Sequence, residues 1–323
     1  MKYITGTRDF HLENTAVALG KFDGLHRGHQ VLIDKIKRYK AQGMKAVMFT
    51  FDFHPASFLE NKPLELIFTR EERVEWAEKM GIDVLIEFPF TKETSGMSAE
   101  DFVREVLVES CGAKVIVCGD DFHFGYKRMG SVELLKDLET KYGFTTDVCT
   151  KLQIEAPVYE NGEFTGRYEL KDVSSTLIRD AIRRGDMEFA ESMLGAPFSV
   201  SGEVVYGNQI GRKLGMPTAN VMPPKHKIMP PNGVYSSRTI VGANVYHSVT
   251  NIGHNPTVGD NISKRMETYV YDFSGSLYGQ EIEVQLFRYE RPEMKFDGLD
   301  ALKNQIHRDK AATMEFFGLH KDL

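Results

Sequence analysis

From residue 15 to about residue 150 the chain alternates short apolar runs with stretches whose apolar positions recur at helical spacing. The runs are Ala16 to Leu19, Ala46 to Phe51, Val84 to Phe88, Val115 to Cys118 and Phe144 to Val148, and the patterns between them predict helices near 29–42, 69–80, 98–110 and 130–142. Thr69 with Glu72 has the form of a capping box, and Ser98 followed by Glu100 and Asp101 places an N-cap and acids at another helix start. Strands alternating with helices make βαβ units, hence an α/β fold with a parallel sheet and right-handed crossovers. Sheets of that kind take ligands beyond the carboxyl ends of their strands.

The pattern then changes. Ser174-Ser175-Thr176 is a hydroxyl-rich N-cap before an amphipathic helix from Leu177 to Arg184, Gly185-Asp186 breaks it, and a second short helix runs to about Leu194. Beyond Gly195-Ala196-Pro197 the segments Phe198 to Tyr206, Val234 to Val241, Val245 to Ile252, Glu267 to Phe273 and Glu281 to Phe287 read as strands separated by Gly, Pro and Asn, with no helical pattern between them. An antiparallel barrel or sandwich follows. Leu299 to Phe317 closes the chain as a helix, and the domain border falls near 185 to 197. No internal repeat or low-complexity tract is present.

Length and charge narrow the partners. The 323 residues suffice for about two domains with ordinary cores. A net charge of −6 argues against nucleic acid as the main partner, since neutralising a phosphate backbone takes a basic surface. Residues 1 to 20 include Lys2, Arg8, Asp9 and Glu13 and lack an apolar core, so no secretory signal is expected, and the apolar runs are too short to span a bilayer. Cys111, Cys118 and Cys149 are scattered, which fits a reducing cytoplasm.

The most informative stretch is Phe22-Asp23-Gly24-Leu25-His26-Arg27-Gly28-His29, between the run ending at Leu19 and the helical pattern of Leu32, Ile33 and Ile36. A strand, a glycine turn and a helix start present free backbone N–H groups and the positive end of a helix dipole, a ready anion site. Gly24 and Gly28 carry no Cβ, so a phosphate can approach the backbone closely. His26 and His29, three apart, share a face of the first turn and aim two imidazoles at that anion. Two other origins fit the same residues. One is zinc ligation by the histidine pair, which lacks any C-x-x-C or H-E-x-x-H companion; the other is a solvated histidine-rich turn, which needs no glycine frame.

Further candidates are individually weaker. Ser175, Thr176 and Arg179 make either an ordinary N-cap with a surface arginine or, joined to the histidine motif, the second anion site that departing pyrophosphate requires. Asp120-Asp121-Phe122-His123-Phe124 follows the run ending at Cys118; its carboxylates and rings suit an adenosine, a flavin ring or Mg2+, and the rings equally suit a loop core. His54, at the end of the second run, is as well suited to a structural as to a ligand-facing place. The loop Gly207 to Gly215, with Gly211 and Lys213, can wrap phosphates, although its spacing is one short of a Walker A loop and Leu214 follows the lysine. Thr218 and Asn220 on an extended segment offer two neutral oxygens to a hard cation, and Glu267 can accept a proton from a hydroxyl. Each alone also reads as a turn, a strand alternation or a solvated acid.

In their shared order these motifs resemble the prokaryotic bifunctional riboflavin kinase/FMN adenylyltransferases, or FAD synthetases, over nearly the whole chain. Gly20-Lys21-Phe22-Asp23-Gly24 through His26-Arg27-Gly28-His29 looks like the nucleotidyltransferase H-x-G-H signature, and Ser175-Thr176-Leu177-Ile178-Arg179 like the family's second phosphate motif. Gly211-Arg212 through Pro217-Thr218-Ala219-Asn220 resembles the flavokinase signature, supported by Gly233-Val234-Tyr235, Asn251-Ile252-Gly253, Glu267 and Arg291-Pro292-Glu293-Met294-Lys295-Phe296. Met216 stands where the family more often has phenylalanine, and Tyr206 where a histidine is common.

The resemblance implies a Rossmann-like nucleotidyltransferase domain over 1–186 and a β-barrel riboflavin kinase domain with a C-terminal helix over 187–323. It implies ATP-dependent phosphorylation of riboflavin to FMN by the second and adenylylation of FMN to FAD, with release of pyrophosphate, by the first. Catalysis is assigned to His26, His29, Thr176, Arg179 and Glu267. ATP and its phosphates are assigned to Gly20, Phe22, Asp23, Gly24, Gly28, Ser175, Gly207, Gly211, Lys213 and Gly215. Flavin is assigned to Asp121, Phe122, Phe124, Arg291 and Glu293, and Mg2+ to Thr218 and Asn220. Riboflavin, FMN and ATP are the implied partners, without nucleic acid or membrane.

Overall fold

The computed structural model describes residues 1–52, 65–207, 216–254 and 264–319. The chain divides into two compact units, Met1–Ser175 and Thr176–Leu323.

In the first unit the apolar runs become β2 (Thr15–Leu19), β3 (Lys45–Phe51), β4 (Val84–Phe88), β5 (Ala113–Gly119) and β6 (Thr145–Cys149), joined by β1 (Lys2–Thr5). All six pair in parallel, in the order β1-β4-β3-β2-β5-β6. All five side chains of β2 are buried, as a central parallel strand covered on both faces requires. Helices α1 (Arg27–Lys40), α2 (Arg70–Lys79) and α3 (Val132–Tyr142) lie in the crossovers. The expected capping box of α2 is formed: Glu72 N donates to Thr69 Oγ1 at 3.2 Å and Thr69 N to Glu72 Oε2 at 2.8 Å. Ser98 likewise caps its helix start, but Phe102–Ser110 winds as a π-helix, wider than an α-helix, closing with Cys111 N to Val106 O at 2.9 Å.

From β2 the chain builds β3 and β4 to one side, then returns to the other side of β2 for β5 and β6. The order reverses between β2 and β5, and the loops leaving these two strands flank the crevice where open α/β sheets take ligands. The histidine motif leaves β2 and the Asp120–Phe124 loop leaves β5. Not expected were the strand β1, the helical turn Lys92–Ser95, and the hairpin β7 (Gln153–Glu160) with β8 (Glu163–Asp172). Of β1 only Ile4 is buried, while Tyr3 and Thr5 on its other face reach Glu87 and Arg70.

The second unit holds nearly all of α4 (Ser175–Arg184), then α5 (Met187–Leu194), six strands and α6 (Leu299–Phe316). The strands are β9 (Phe198–Val205), β10 (Thr218–Val221), β11 (Gly233–Val241), β12 (Asn244–His254), β13 (Lys264–Val270) and β14 (Glu281–Arg291). They pair antiparallel and close in the order β10-β13-β12-β11-β14-β9, with β9 returning to β10, so a barrel rather than a sandwich removes the sheet edges. Its fully buried hydroxyls, from Ser237, Thr239, Ser248, Thr250 and Thr268, hydrogen-bond to one another at 2.8 to 3.0 Å, which satisfies polar groups that have no water to turn to. Helix α5 packs on β9 and β14, and α6 on β11 and β12.

Candidate active sites

The turn after β2 is tight. Phe22, Gly24 and Leu25 take φ of 49°, 86° and 40°, and the two bulky residues hold this left-handed conformation because both are almost completely buried. The Asp23 carboxylate accepts from Ile67 N at 2.9 Å and Phe68 N at 3.2 Å, while its carbonyl accepts from the Ser175 hydroxyl at 2.9 Å. The turn is thereby tied to the chain before α2 and to the end of the first unit.

The glycines of this turn are also required by packing. A Cβ on Gly24 would lie 2.9 Å from Ile67 Cγ2, one on Gly28 3.1 Å from His26 Nδ1, and one on Gly20 3.0 Å from the Phe22 ring. The space left by each missing side chain is filled by a protein group. Without Gly28 the His26 ring would have to move.

His26 is the N-cap of α1; its Nδ1 accepts from His29 N at 3.4 Å, which leaves Nε2 to carry the proton of the neutral ring. The two imidazoles stack with centroids 3.7 Å apart, and Phe22 lies 5.0 Å from His29. His29 Nδ1 is buried and among the described residues has no hydrogen-bond partner. Among the described residues no third His, Cys, Asp or Glu joins the pair to make a metal set. After β5, Phe124 belongs to the core, Phe122 stacks on it at 5.6 Å and stays half-buried, and Asp121 pairs with Lys151 at 3.1 Å. Thr176 and Arg179 fall in the second unit on α4, the threonine exposed and the arginine buried.

In the barrel, register assembles the other candidate site. Asn220 of β10 stands opposite Glu267 of β13, and Glu267 opposite Asn251 of β12, so the three share one face. Thr218, two residues before Asn220, faces the same way. Asn220 is buried and its Oδ1 accepts from Arg265 Nη2, whose guanidinium also lies 3.3 Å from Glu267 Oε1. Gly207 comes so close that a Cβ there would overlap Arg265 Nη2 and the Asn220 amide. Glu293 adjoins the row, accepting from Asn232 Nδ2 at 3.1 Å and Asn251 Nδ2 at 3.5 Å. Arg291 is placed otherwise: Nε and Nη2 bind the buried Asp309 of α6 at 2.8 and 2.6 Å, so it fastens the terminal helix. Arg265 was not singled out from sequence, although a period of two along the strand puts it on the face of Glu267. Gly211, Lys213, Gly215 and His54 lie outside the described residues.

Two folds, each with a cluster at its ligand face, call for comparison with known proteins. The FAD synthetase family model matches residues 9–159, and the riboflavin kinase family model matches residues 194–317. The chain belongs to the bifunctional riboflavin kinase/FMN adenylyltransferase family. A member from Buchnera aphidicola subsp. Schizaphis graminum is 35% identical over 99% of this chain and 100% of its own length, and one from Escherichia coli K12 is 33% identical over 99% of each. A solved structure titled as a macrolide-efflux protein from Streptococcus pneumoniae covers 96% of this chain and 97% of its own, at 28% identity and a TM-score of 0.79; the activity in that title is that protein's own. Among the described residues no helix is long and apolar enough to cross a membrane.

For a member of this family the charge state of the histidine pair matters. Burial lowers His26 to a pKa of about 4. Burial, then His26 and the Arg73 guanidinium, hold His29 well below the ordinary histidine value. Both rings are therefore neutral near pH 7 while no anion is bound. Because the folded chain binds fewer protons than the unfolded one, stability is whole above pH 6.5 and falls as pH drops toward 4, by about 3 kcal/mol for His26. Trp76, the single tryptophan, lies on α2 in the first unit, so its fluorescence in urea titrations reports that unit. The midpoint should fall between pH 6.5 and 4, and His26→Gln should flatten that slope; an unchanged slope would show that the ring is not buried neutral.

Proposed function

We propose that the two clusters divide two phosphorus transfers between them. The chain is a riboflavin kinase and FMN adenylyltransferase, which phosphorylates riboflavin to FMN with ATP and joins FMN to the AMP part of a second ATP, releasing pyrophosphate.

In the barrel, Glu267 takes the proton of the riboflavin 5′-hydroxyl as the hydroxyl oxygen attacks the γ-phosphorus of ATP, and the bond to the β,γ-bridging oxygen breaks to release ADP. The nucleotide phosphates are assigned to Gly207, Gly211, Lys213 and Gly215. The donor set suits a divalent metal, since Asn220 Oδ1 and Glu267 Oε1 already converge on one positive group. We assign Mg2+ to Thr218 and Asn220, where it would neutralise charge on the transferred phosphoryl group. In the parallel-sheet half the FMN phosphate is already an anionic nucleophile, so no base is needed. His26 and His29 stabilise charge at the α-phosphorus, and Thr176 and Arg179 take the pyrophosphate, with Gly20, Phe22, Asp23, Gly24, Gly28 and Ser175 shaping the turn. On function the border is drawn at 186/187, which gives α4 to the adenylyltransferase. Phe122, half-buried beside the crevice, is the ring we assign to the flavin, with Asp121 at its side; Phe124 supports it from the core. Glu293 keeps a flavin assignment at the kinase row, and Arg291 acts there only through the helix it fastens. The three cysteines are buried free thiols, which supports a reducing cytoplasm.

The observation that carries this division is the Asn220–Glu267–Asn251 row in one fold and the stacked neutral imidazoles in the other. Incubation with riboflavin and MgATP should give FMN and then FAD by chromatography. FMN with MgATP should give FAD and pyrophosphate alone. Bound flavin without product in both incubations would end this assignment.

A further inference from the structure

We propose that Arg265 is a displaceable cation, holding the metal-binding oxygens of the kinase half together until metal and nucleotide arrive. This rests on the assignment of Thr218, Asn220 and Glu267 made above. Arg265 and Glu267 are two apart on β13 and share a face. One guanidinium nitrogen, Nη2, serves both Asn220 Oδ1 and Glu267 Oε1. The Arg265 side chain is 14% exposed against 42% for Glu267, so a largely desolvated positive charge sits among the oxygen donors themselves.

Two features mark this position as provisional. Arg265 Nε is buried and among the described residues has no hydrogen-bond partner, and a buried donor left unpaired is costly. Arg291 shows the contrast: Nε and Nη2 grip Asp309, and Nη1 donates to Pro292 O at 2.9 Å, as befits an arginine whose task is structural. Gly207 also crowds the guanidinium so closely that no side chain fits there, and it opens the loop assigned to the phosphates.

The chemistry then sets an order of events. A hard divalent ion binds oxygen at about 2.1 Å, and cannot settle on Asn220 Oδ1 with a like charge lodged against that atom. Phosphate oxygens are the best match for a freed guanidinium fork. Metal alone therefore has to expel Arg265 into no partner, whereas metal with nucleotide offers it one. Nucleotide and metal should bind cooperatively through this exchange, and reciprocity requires the same factor in both directions.

The experiment measures Mn2+ binding to the whole chain by electron paramagnetic resonance, with and without ADP. The kinase site's share is the part lost in Asn220→Ala. Arg265→Met should bind Mn2+ alone about tenfold more tightly, with the strengthening by ADP reduced toward none, and Arg265→Lys should restore part of the coupling. FMN adenylylation by the same preparations reports that the first half is folded, and thermal melting followed by circular dichroism reports that the barrel is. If Arg265→Met matches the unaltered enzyme in both affinities while Asn220→Ala loses the site, the displacement is wrong and the ligand assignment stands. If Asn220→Ala also changes nothing, the assignment itself is wrong and the proposal falls with it.

Discussion

Glu267→Gln is expected to slow riboflavin phosphorylation by about 10²- to 10⁴-fold, the range for loss of a general base, and to leave FMN adenylylation at its original rate. Glutamine keeps the shape and an acceptor oxygen but cannot take the proton that the 5′-hydroxyl must lose. Glu267 is 42% exposed and pairs with Arg265 across the strand surface, so the barrel should tolerate the change. The measurement is steady-state FMN formation from riboflavin beside FAD formation from FMN. The loss should fall in kcat, because the proton moves only in the transition state. A loss confined to KM would make Glu267 a binding group, and an unchanged rate would remove it from the chemistry.

The same residue shows what the sequence could and could not disclose. Glu267, Asn220 and Thr218 were each recognisable as donors, and the order of motifs pointed to the family. Their convergence was not readable, because it comes from register: Asn220 meets Glu267 only because β10 pairs with β13 at that offset. The parallel strands β2 to β5 were legible as apolar runs, which strands buried on both faces must have, whereas the edge strand β6, Thr145-Thr146-Asp147-Val148-Cys149, fully buries only Cys149. Strand β1 was not, since a short edge strand that buries one side chain carries no pattern, and the β7–β8 hairpin is mostly exposed along β8. The barrel was legible only as far as a choice with a sandwich; closure of β9 onto β10 is a long-range pairing that local alternation does not encode. The packing demand on the glycines of the histidine turn was not readable, because Ile67, distant in sequence, fills the space over Gly24. The neutrality of the histidines was also hidden, since it depends on burial and on Arg73 from α2.

That neutrality shapes the second large effect. His29→Ala is expected to lower FAD formation from FMN by about 10²- to 10³-fold, the loss typical of one preorganised donor at a developing charge, with FMN formation from riboflavin unchanged. Two imidazolium rings stacked at 3.7 Å would repel, and burial opposes charging either one. A triphosphate arriving at the unpartnered His29 Nδ1 supplies the opposite charge that both penalties lack. ATP binding to this half should therefore take up protons near neutral pH. Calorimetry in buffers of different ionisation enthalpy counts them, and the uptake should shrink in His29→Ala. The kinase site contributes the same background to both forms of the enzyme, so the difference belongs to the histidine pair. Loss of FMN and FAD formation together would refute the division of labour between the two halves. Loss of FAD formation with proton uptake unchanged would leave His29 in the site as a neutral donor only, and would place the titrating group elsewhere.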